Sequence, residues 1–304
     1  MELKAQHKWR WLIAAYLCLV GLAGGAYVTG VVADFLGEDW ARLSKIGVFL
    51  AFPCVAVGCV FLIADLGTPK NFWRAGMRPG TACIARGTII LTFFMILGAI
   101  HIGWWIWPFH ALEEAIGARQ VISVLGVLVA LSAMIYTAVL LGGYRPMDFW
   151  FPAMVPLLFL LSALSTGIMA VMLIGFIAGV GYAGPIATLV RINIVLMVVE
   201  IFILGFSLQA SHRVPEVRAS AKLVLTGDVA PLFWFGLAIV GLLIPLALQL
   251  LGAFALQGAG ASAAVIVASI CGLLGGLFLR EVVLSAGIQR PLRVGRFEFA
   301  VPMA

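Results

Sequence analysis

Glu200 is a carboxylate near the middle of an apolar run, LVRINIVLMVVEIFILGFSLQ (189–209), where water cannot reach it without help. Asn193, Glu200 and Ser207 recur every seven residues. On a helix that spacing drifts only about 20° per step, so the three form one polar stripe. Such a stripe either relays protons or holds a buried hydrogen-bond network that locks helix packing. Arg191, nine positions before Glu200, falls on the opposite face and is a poor ion-pair partner. A second constellation comes from depth: Tyr16 and Tyr136 each lie five or six residues inside an apolar run, roughly 8 to 9 Å deep from the same side at ~1.5 Å per residue. Asp65 ends another run on that side. Two phenols and a carboxylate at one level could hydrogen-bond the carbonyl oxygens of a quinone, with helix faces supplying an apolar slot for its tail. The bland reading is that tyrosines gather at membrane interfaces without any ligand.

Redox-centre ligands are scarce. Cys18, Cys54, Cys59, Cys83 and Cys271 are scattered, contain no C-x-x-C pair and read as small polarizable packing residues. Of His7, His101, His110 and His212, only His101 falls inside an apolar run, which excludes a two-haem cytochrome b design and disfavours a single His/His haem. The expectation is a chain with no haem or iron–sulfur cluster of its own and no metal site. Electrons, if handled at all, would come from a partner or a diffusible carrier.

The elements that must position these residues are membrane helices. The chain is 63% hydrophobic and 11% charged, with a mean hydropathy of +1.15. Soluble domains carry about 25% charged residues. Backbone groups in lipid must be satisfied internally, and apolar runs of about 20 residues select helices over a barrel. The fold class is therefore all-α, a polytopic bundle forming a single domain over 1–304. Its eight spans are expected near 11–33, 43–65, 86–107, 120–142, 151–174, 185–209, 231–252 and 262–284. The first is long and lacks a clear small-residue cleavage site, so it reads as a retained anchor.

Of the 19 Lys and Arg, 15 fall on one side, including Lys4, Lys70, Arg74, Arg78, Arg86, Arg145, Arg213, Arg280 and Arg290; only Arg42, Lys45, Arg119 and Arg191 fall on the other. Basic loops resist translocation, which predicts both termini in the cytoplasm of a bacterial or archaeal inner membrane. The net charge of +6 thus reflects topology and gives no reason to invoke nucleic acid. Gly21-x-x-x-Gly25 and Gly272-x-x-x-Gly276 have the spacing of close helix contacts. Ser162, Ser165 and Thr166 are expected to return hydrogen bonds to their own helix or to line a wall. Pro53, Pro152, Pro156 and Pro245 are candidate kinks.

Five stretches in order resemble the NrfD-like family, the membrane subunits of polysulfide reductase and related molybdenum/iron–sulfur respiratory complexes. They are YLCLVGLAGGAY (16–27); ADLGTPKNFW (64–73); the block YTAVLL, PMDFW and LFLLSALSTG (136–167); LFWFGLAIVGLLIPLAL (232–248); and GGLFLREVVLSAG (275–287). The resemblance implies a metal-free anchor that binds quinone, menaquinone or ubiquinone. An iron–sulfur (ferredoxin-like) subunit would dock on it, and a molybdopterin subunit would carry out the substrate chemistry. It implies that Tyr136 hydrogen-bonds the headgroup and that Asp65 is the signature aspartate. Lys70, Arg74, Arg78 and Arg145 would face the iron–sulfur partner. Polysulfide reductase has His where Tyr16 stands, and a phenol can hydrogen-bond there but cannot become cationic. Asn71 replaces an Arg of many relatives, and PGTACIARG (79–87) departs from the usual Ser-rich, Trp-bearing stretch. Partner subunits of polysulfide reductase are periplasmic, whereas the charge asymmetry here favours a cytoplasmic partner. The rival readings are a secondary transporter and a purely structural anchor.

Overall fold

The computed structural model describes residues 11–65, 83–106, 116–142, 154–182, 184–210 and 215–287, with two short strands in the tail. Lys70, Asn71, Arg74, Arg78, Arg145 and Asp148 lie outside the described residues, as does Pro152. Among the described residues, eight helices are long and apolar enough to cross a membrane. They are α1 (Trp11–Phe35), α2 (Ala41–Ala64), α3 (Cys83–Gly103), α4 (Ile116–Gly142), α5 (Met154–Ile177), α6 (Gly184–Ala210), a seventh span made of a π-helical stretch (Leu232–Leu243) continued by α8 (Ile244–Phe254), and α9 (Gly258–Ser285). The expected class and span count hold. Several helices run beyond the expected bounds: α4, for instance, begins at Ile116, a turn before the expected start at 120.

Helix contacts divide the bundle into two four-helix groups. In the first, α1, α2, α3 and α4 close a ring; in the second, α5, α6, the seventh span and α9 close another. Contacts of α1 with α5 and α9, and of α4 with α5, weld the groups together. The outer surface carries apolar side chains such as Phe93, Val195, Phe202, Phe206 and Phe254, exposed to where lipid would lie. This is the inverse of a soluble domain and follows from there being no water to avoid.

Glycines set the weld. A Cβ on Gly25 would overlap the Ala163 carbonyl of α5, and one on Gly167 would overlap the Gly25–Ala26 backbone. The α1–α5 approach thus requires both, as small-xxx-small packing predicts. In the second group a Cβ on Gly272 would overlap Met169, and Gly241 and Gly275 meet backbone to backbone. In the π-helical stretch the Ile244 amide donates to the Ile239 carbonyl, five residues back, the wide turn that marks π geometry.

Two features were not anticipated. The 210–230 connection contains an amphipathic helix, α7 (Pro215–Thr226), which buries Ser220, Ala221 and Val224 and exposes Arg218 and Lys222. It lies along the basic face, where Leu225 accepts a hydrogen bond from Trp234 Nε1 at 3.1 Å. The tail forms a two-stranded hairpin, β1 (Leu292–Val294) with β2 (Phe297–Phe299).

Gly167→Val should destabilise the bundle by overpacking, at about 1–3 kcal/mol or more. Gly205→Ala, with open space around it, should leave thermal unfolding in detergent unchanged or slightly raised. Equal melting of the two variants would contradict the close α1–α5 approach.

Candidate functional site

At the basic end of the first helix group, Tyr16 on α1 and Tyr136 on α4 are both buried. The two phenols are near neighbours, and the Cys59 thiol of α2 also lies near Tyr16. The third wall is α3, where a Cβ on Gly87 would overlap the Tyr136 ring and hydroxyl, so glycine makes the cradle in which that ring lies. Asp65 caps α2 at the same end, half-buried, its amide donating to the Phe61 carbonyl at 3.1 Å. Two expected partners, Tyr16 and Tyr136, are thus brought together, whereas Asp65 lies further out: Tyr16 packs level with Gly58, about 10 Å along α2 from Asp65.

Glu200 on α6 is 4% exposed and faces the second group's interior, where Ser162 of α5 and Arg280 of α9 are its polar neighbours. Arg280 corrects the sequence reading, which counted it among the charges outside the membrane on the basic side. It is 1% exposed, five residues inside α9. Its Nη1 donates to Ser162 Oγ at 3.1 Å and to the Gly276 carbonyl at 2.6 Å, and its Nε donates to the Leu17 carbonyl of α1 at 3.3 Å. The guanidinium carbon stands 5.5 Å from the centre of the Phe159 ring. Gly21 makes room for it, since a Cβ there would sit 2.7 Å from Nη2. One cation therefore joins the helix carrying Tyr16 to the hydroxyl beside Glu200. The Gly272, Gly276, Arg280 spacing of four on one helix face was the available signal.

The Ser/Thr run divides its duties. Thr166 donates to its own helix, to the Ser162 carbonyl at 2.7 Å, as expected. Ser162 instead accepts from Arg280. Ser165 and Thr166 also line a small cavity beside Glu200, with Met169, Met197 and Gly241, that has room for about one water molecule. The expected α6 stripe is real but uneven: Asn193 is fully buried and donates to Gln249 Oε1 at 3.0 Å, whereas Ser207 is half-buried at the basic end and donates to the Ile203 carbonyl. Gln249, a lone amide in the seventh span, was missed. Arg191 is exposed on the opposite face, as expected.

At the far end of the first group, His101 is fully buried. Ser123 Oγ donates to the Arg119 carbonyl at 2.8 Å, so it accepts from His101 Nε2 at 3.4 Å. Nδ1 is then the acceptor for the Tyr27 hydroxyl at 2.9 Å. Trp105 packs over the ring, and Arg119 beside it pairs with Asp34 at 3.2 Å. Both ring nitrogens are thus engaged by neighbouring helices of the same bundle. Among the described residues no group of three His, Cys, Asp or Glu side chains is arranged to hold a metal.

Residues 2–291 match the family described as polysulphide reductase, NrfD. The chain belongs to the NrfD family. Relatives include a chain of the polysulfide reductase of Wolinella succinogenes, 26% identical over 79% of this protein and 82% of that one. Protein NrfD of Escherichia coli is 27% identical over 92% of this protein and 94% of its own length. A subunit of the selenate reductase of Mesobacillus selenatarsenatis is 23% identical over 81% and 67% respectively. The NrfD-family protein described here is accordingly a multi-pass membrane protein.

Ser162→Ala removes an acceptor from a buried guanidinium and should cost about 1–3 kcal/mol. Arg280→Ala removes the cation and should cost about 3–5 kcal/mol. Thermal unfolding of the purified protein tests the order; wild-type stability in Arg280→Ala would contradict the network.

Proposed function

We propose that this NrfD-family protein exchanges electrons and protons with a membrane quinone at the Tyr16–Tyr136 end of the first helix group. The observation that carries the reading is the juxtaposition of two buried phenols, from α1 and α4, at one membrane level. It is supported by kinship with components of polysulfide and selenate reductases. The donor set fits a quinone. A phenol O–H donates to a carbonyl oxygen without carrying charge, which suits a site with lipid-derived surroundings. When bound, a quinone supplies a two-electron, two-proton couple, and the protein's own residues do the rest. Tyr16 and Tyr136 orient the headgroup, and Asp65 offers a carboxylate at the rim. Arg280 fixes α1 behind Tyr16 and holds Ser162 beside Glu200, which stores or releases a proton.

In the same reading, an iron–sulfur (ferredoxin-like) subunit docks on the basic face through Lys70, Arg74, Arg78 and Arg145, and the substrate chemistry takes place on a molybdopterin subunit. The face holding most of the Lys and Arg is cytoplasmic in this proposal. The quinone is menaquinone or ubiquinone, and the membrane is the bacterial or archaeal inner membrane.

Tyr136→Phe keeps the ring on Gly87 and deletes the hydroxyl. Quinone-linked turnover of the whole complex should fall about ten-fold, the worth of one hydrogen bond of roughly 1.4 kcal/mol. Turnover with artificial dyes should be unchanged. Full quinone-linked activity in this variant would remove Tyr136 from the site. Dye activity lost in parallel would assign it a role in assembly instead.

A further inference from the structure

Arg191 is a cation on the outer side of a membrane helix. It shares one exposed stripe of α6 with Thr188, Ile192, Val195, Phe202 and Phe206, turned away from α5 and the seventh span, the chief neighbours of that helix. The other charged residue of α6, Glu200, is buried on a different side. Counted along the helix, Arg191 lies about 10 Å from the Gly184 end, the end opposite the basic face. A helix of 27 residues is about 40 Å long, against a hydrocarbon layer of about 30 Å. The backbone at Arg191 is therefore about one turn below the headgroups of the far leaflet. A charge facing lipid at that depth is costly, and an Arg there lifts its head to the interface along its apolar stem. The phenol of Tyr182, two residues before α6 in the far-face connection, lies near the guanidinium. The side chain is thus directed out of the hydrocarbon.

Nothing in the second helix group balances this charge. Among the described residues Arg191 makes no ion pair or hydrogen bond, and the Tyr182 hydroxyl makes no hydrogen bond. Thr188, one turn before Arg191, spends its hydroxyl proton on the Gly184 carbonyl at 3.1 Å. The far-face connections of this group, FIAGVGYAGPIATLVR (176–191) and FALQGAGASAA (254–264), contain no Asp or Glu. Asp34, at the far face of the first group, is held by Arg119. The counter-charge must come from outside the chain. A guanidinium and a phenol at headgroup level, above an apolar stripe, suit a phosphodiester with its acyl chains. The planar fork matches two phosphate oxygens, and the phenol O–H donates to one more acceptor. A carboxylate on a partner helix would have to meet the guanidinium in the hydrocarbon, whereas Tyr182 lies toward the surface. No acid is at hand to receive an ammonium, so a headgroup of net negative charge fits better than an ethanolamine one.

We propose that Arg191 and Tyr182 hold an anionic phospholipid, phosphatidylglycerol or cardiolipin, in the far leaflet, with an acyl chain along Val195 and Phe202. The site lies in the other helix group and at the other face from Tyr16 and Tyr136, so it stands apart from the quinone reading.

Lysines and arginines at the basic face also attract anionic lipid, so the test must report position. The full chain is reconstituted in phosphatidylcholine vesicles doped with phosphatidylglycerol or phosphatidylethanolamine bearing a photoactivatable diazirine on the acyl chain. Crosslinked peptides are then mapped by mass spectrometry. In the wild type, labelling at Val195 and Phe202 should favour the phosphatidylglycerol probe about ten-fold, the worth of one charge-assisted contact. Arg191→Gln should bring the two probes to near parity there. Tyr182→Phe should reduce the preference about three-fold, and Arg191→Lys should keep part of it. Labelling of the amphipathic helix α7, which exposes Arg218 and Lys222 at the basic face, should be unchanged in all three variants and shows that each is folded. Equal labelling by both probes in the wild type, or an undiminished preference in Arg191→Gln, would overturn the proposal. So would a stripe that neither probe reaches, because a second copy of the chain or a partner helix would then cover it.

Discussion

A guanidinium buried in a membrane bundle is tolerable only with hydrogen-bond partners close around it, and Arg280 shows what that demands. Its charge would cost several kcal/mol unaided in a lipid-like interior. It is balanced by two backbone carbonyls, one on α1 and one on its own helix, by the Ser162 hydroxyl, and by the nearby acid Glu200. Because those groups come from α1, α5, α6 and α9, the cation fixes how the two helix groups sit against one another. The glycines follow from the same demand. Gly21 leaves space for the guanidinium, and Gly25 with Gly167 brings α1 and α5 close enough for the Leu17 carbonyl and Ser162 to share it.

The two groups then divide the chemistry. The first holds uncharged phenols against apolar walls, surroundings that favour a neutral ligand with carbonyl acceptors. The second holds the acid, the hydroxyls and the amides. Arg280 lies between them and touches both. The π-helical stretch belongs to this second group: its wide turn brings Leu237 and Gly241 to the cavity at Glu200, and its Gly241 packs on Gly275. The stretch buries Phe233, Leu237, Gly241 and Leu242 against the bundle and leaves Trp234, Phe235 and Leu243 exposed on its outer side.

Much of this was legible from particular residues. Apolar length alone specified eight helices, because the bilayer leaves the backbone one economical solution. Depth counting paired Tyr16 with Tyr136, since rise per residue converts sequence position directly into level. The seven-residue stripe located Glu200 and Asn193. Arg280 was misread because charge counting treats a basic residue near a helix end as belonging to the loop, and nothing in a one-dimensional count reveals that Gly21 on another helix has vacated space for it. Gln249 was missed because it acquires meaning only across a helix pair, opposite Asn193. His101 was read for haem ligation, and its actual partners, Tyr27 and Ser123, come from helices whose register no single-helix pattern encodes.

The most direct measurement is a high-resolution structure of the complex purified from native membrane with its quinone retained. The account predicts a headgroup within hydrogen-bond distance of Tyr16 and Tyr136, on the face where the iron–sulfur subunit docks. A headgroup bound at the opposite end beside Tyr27 and His101, or a complex that retains its iron–sulfur subunit but has no quinone near either phenol, would contradict it.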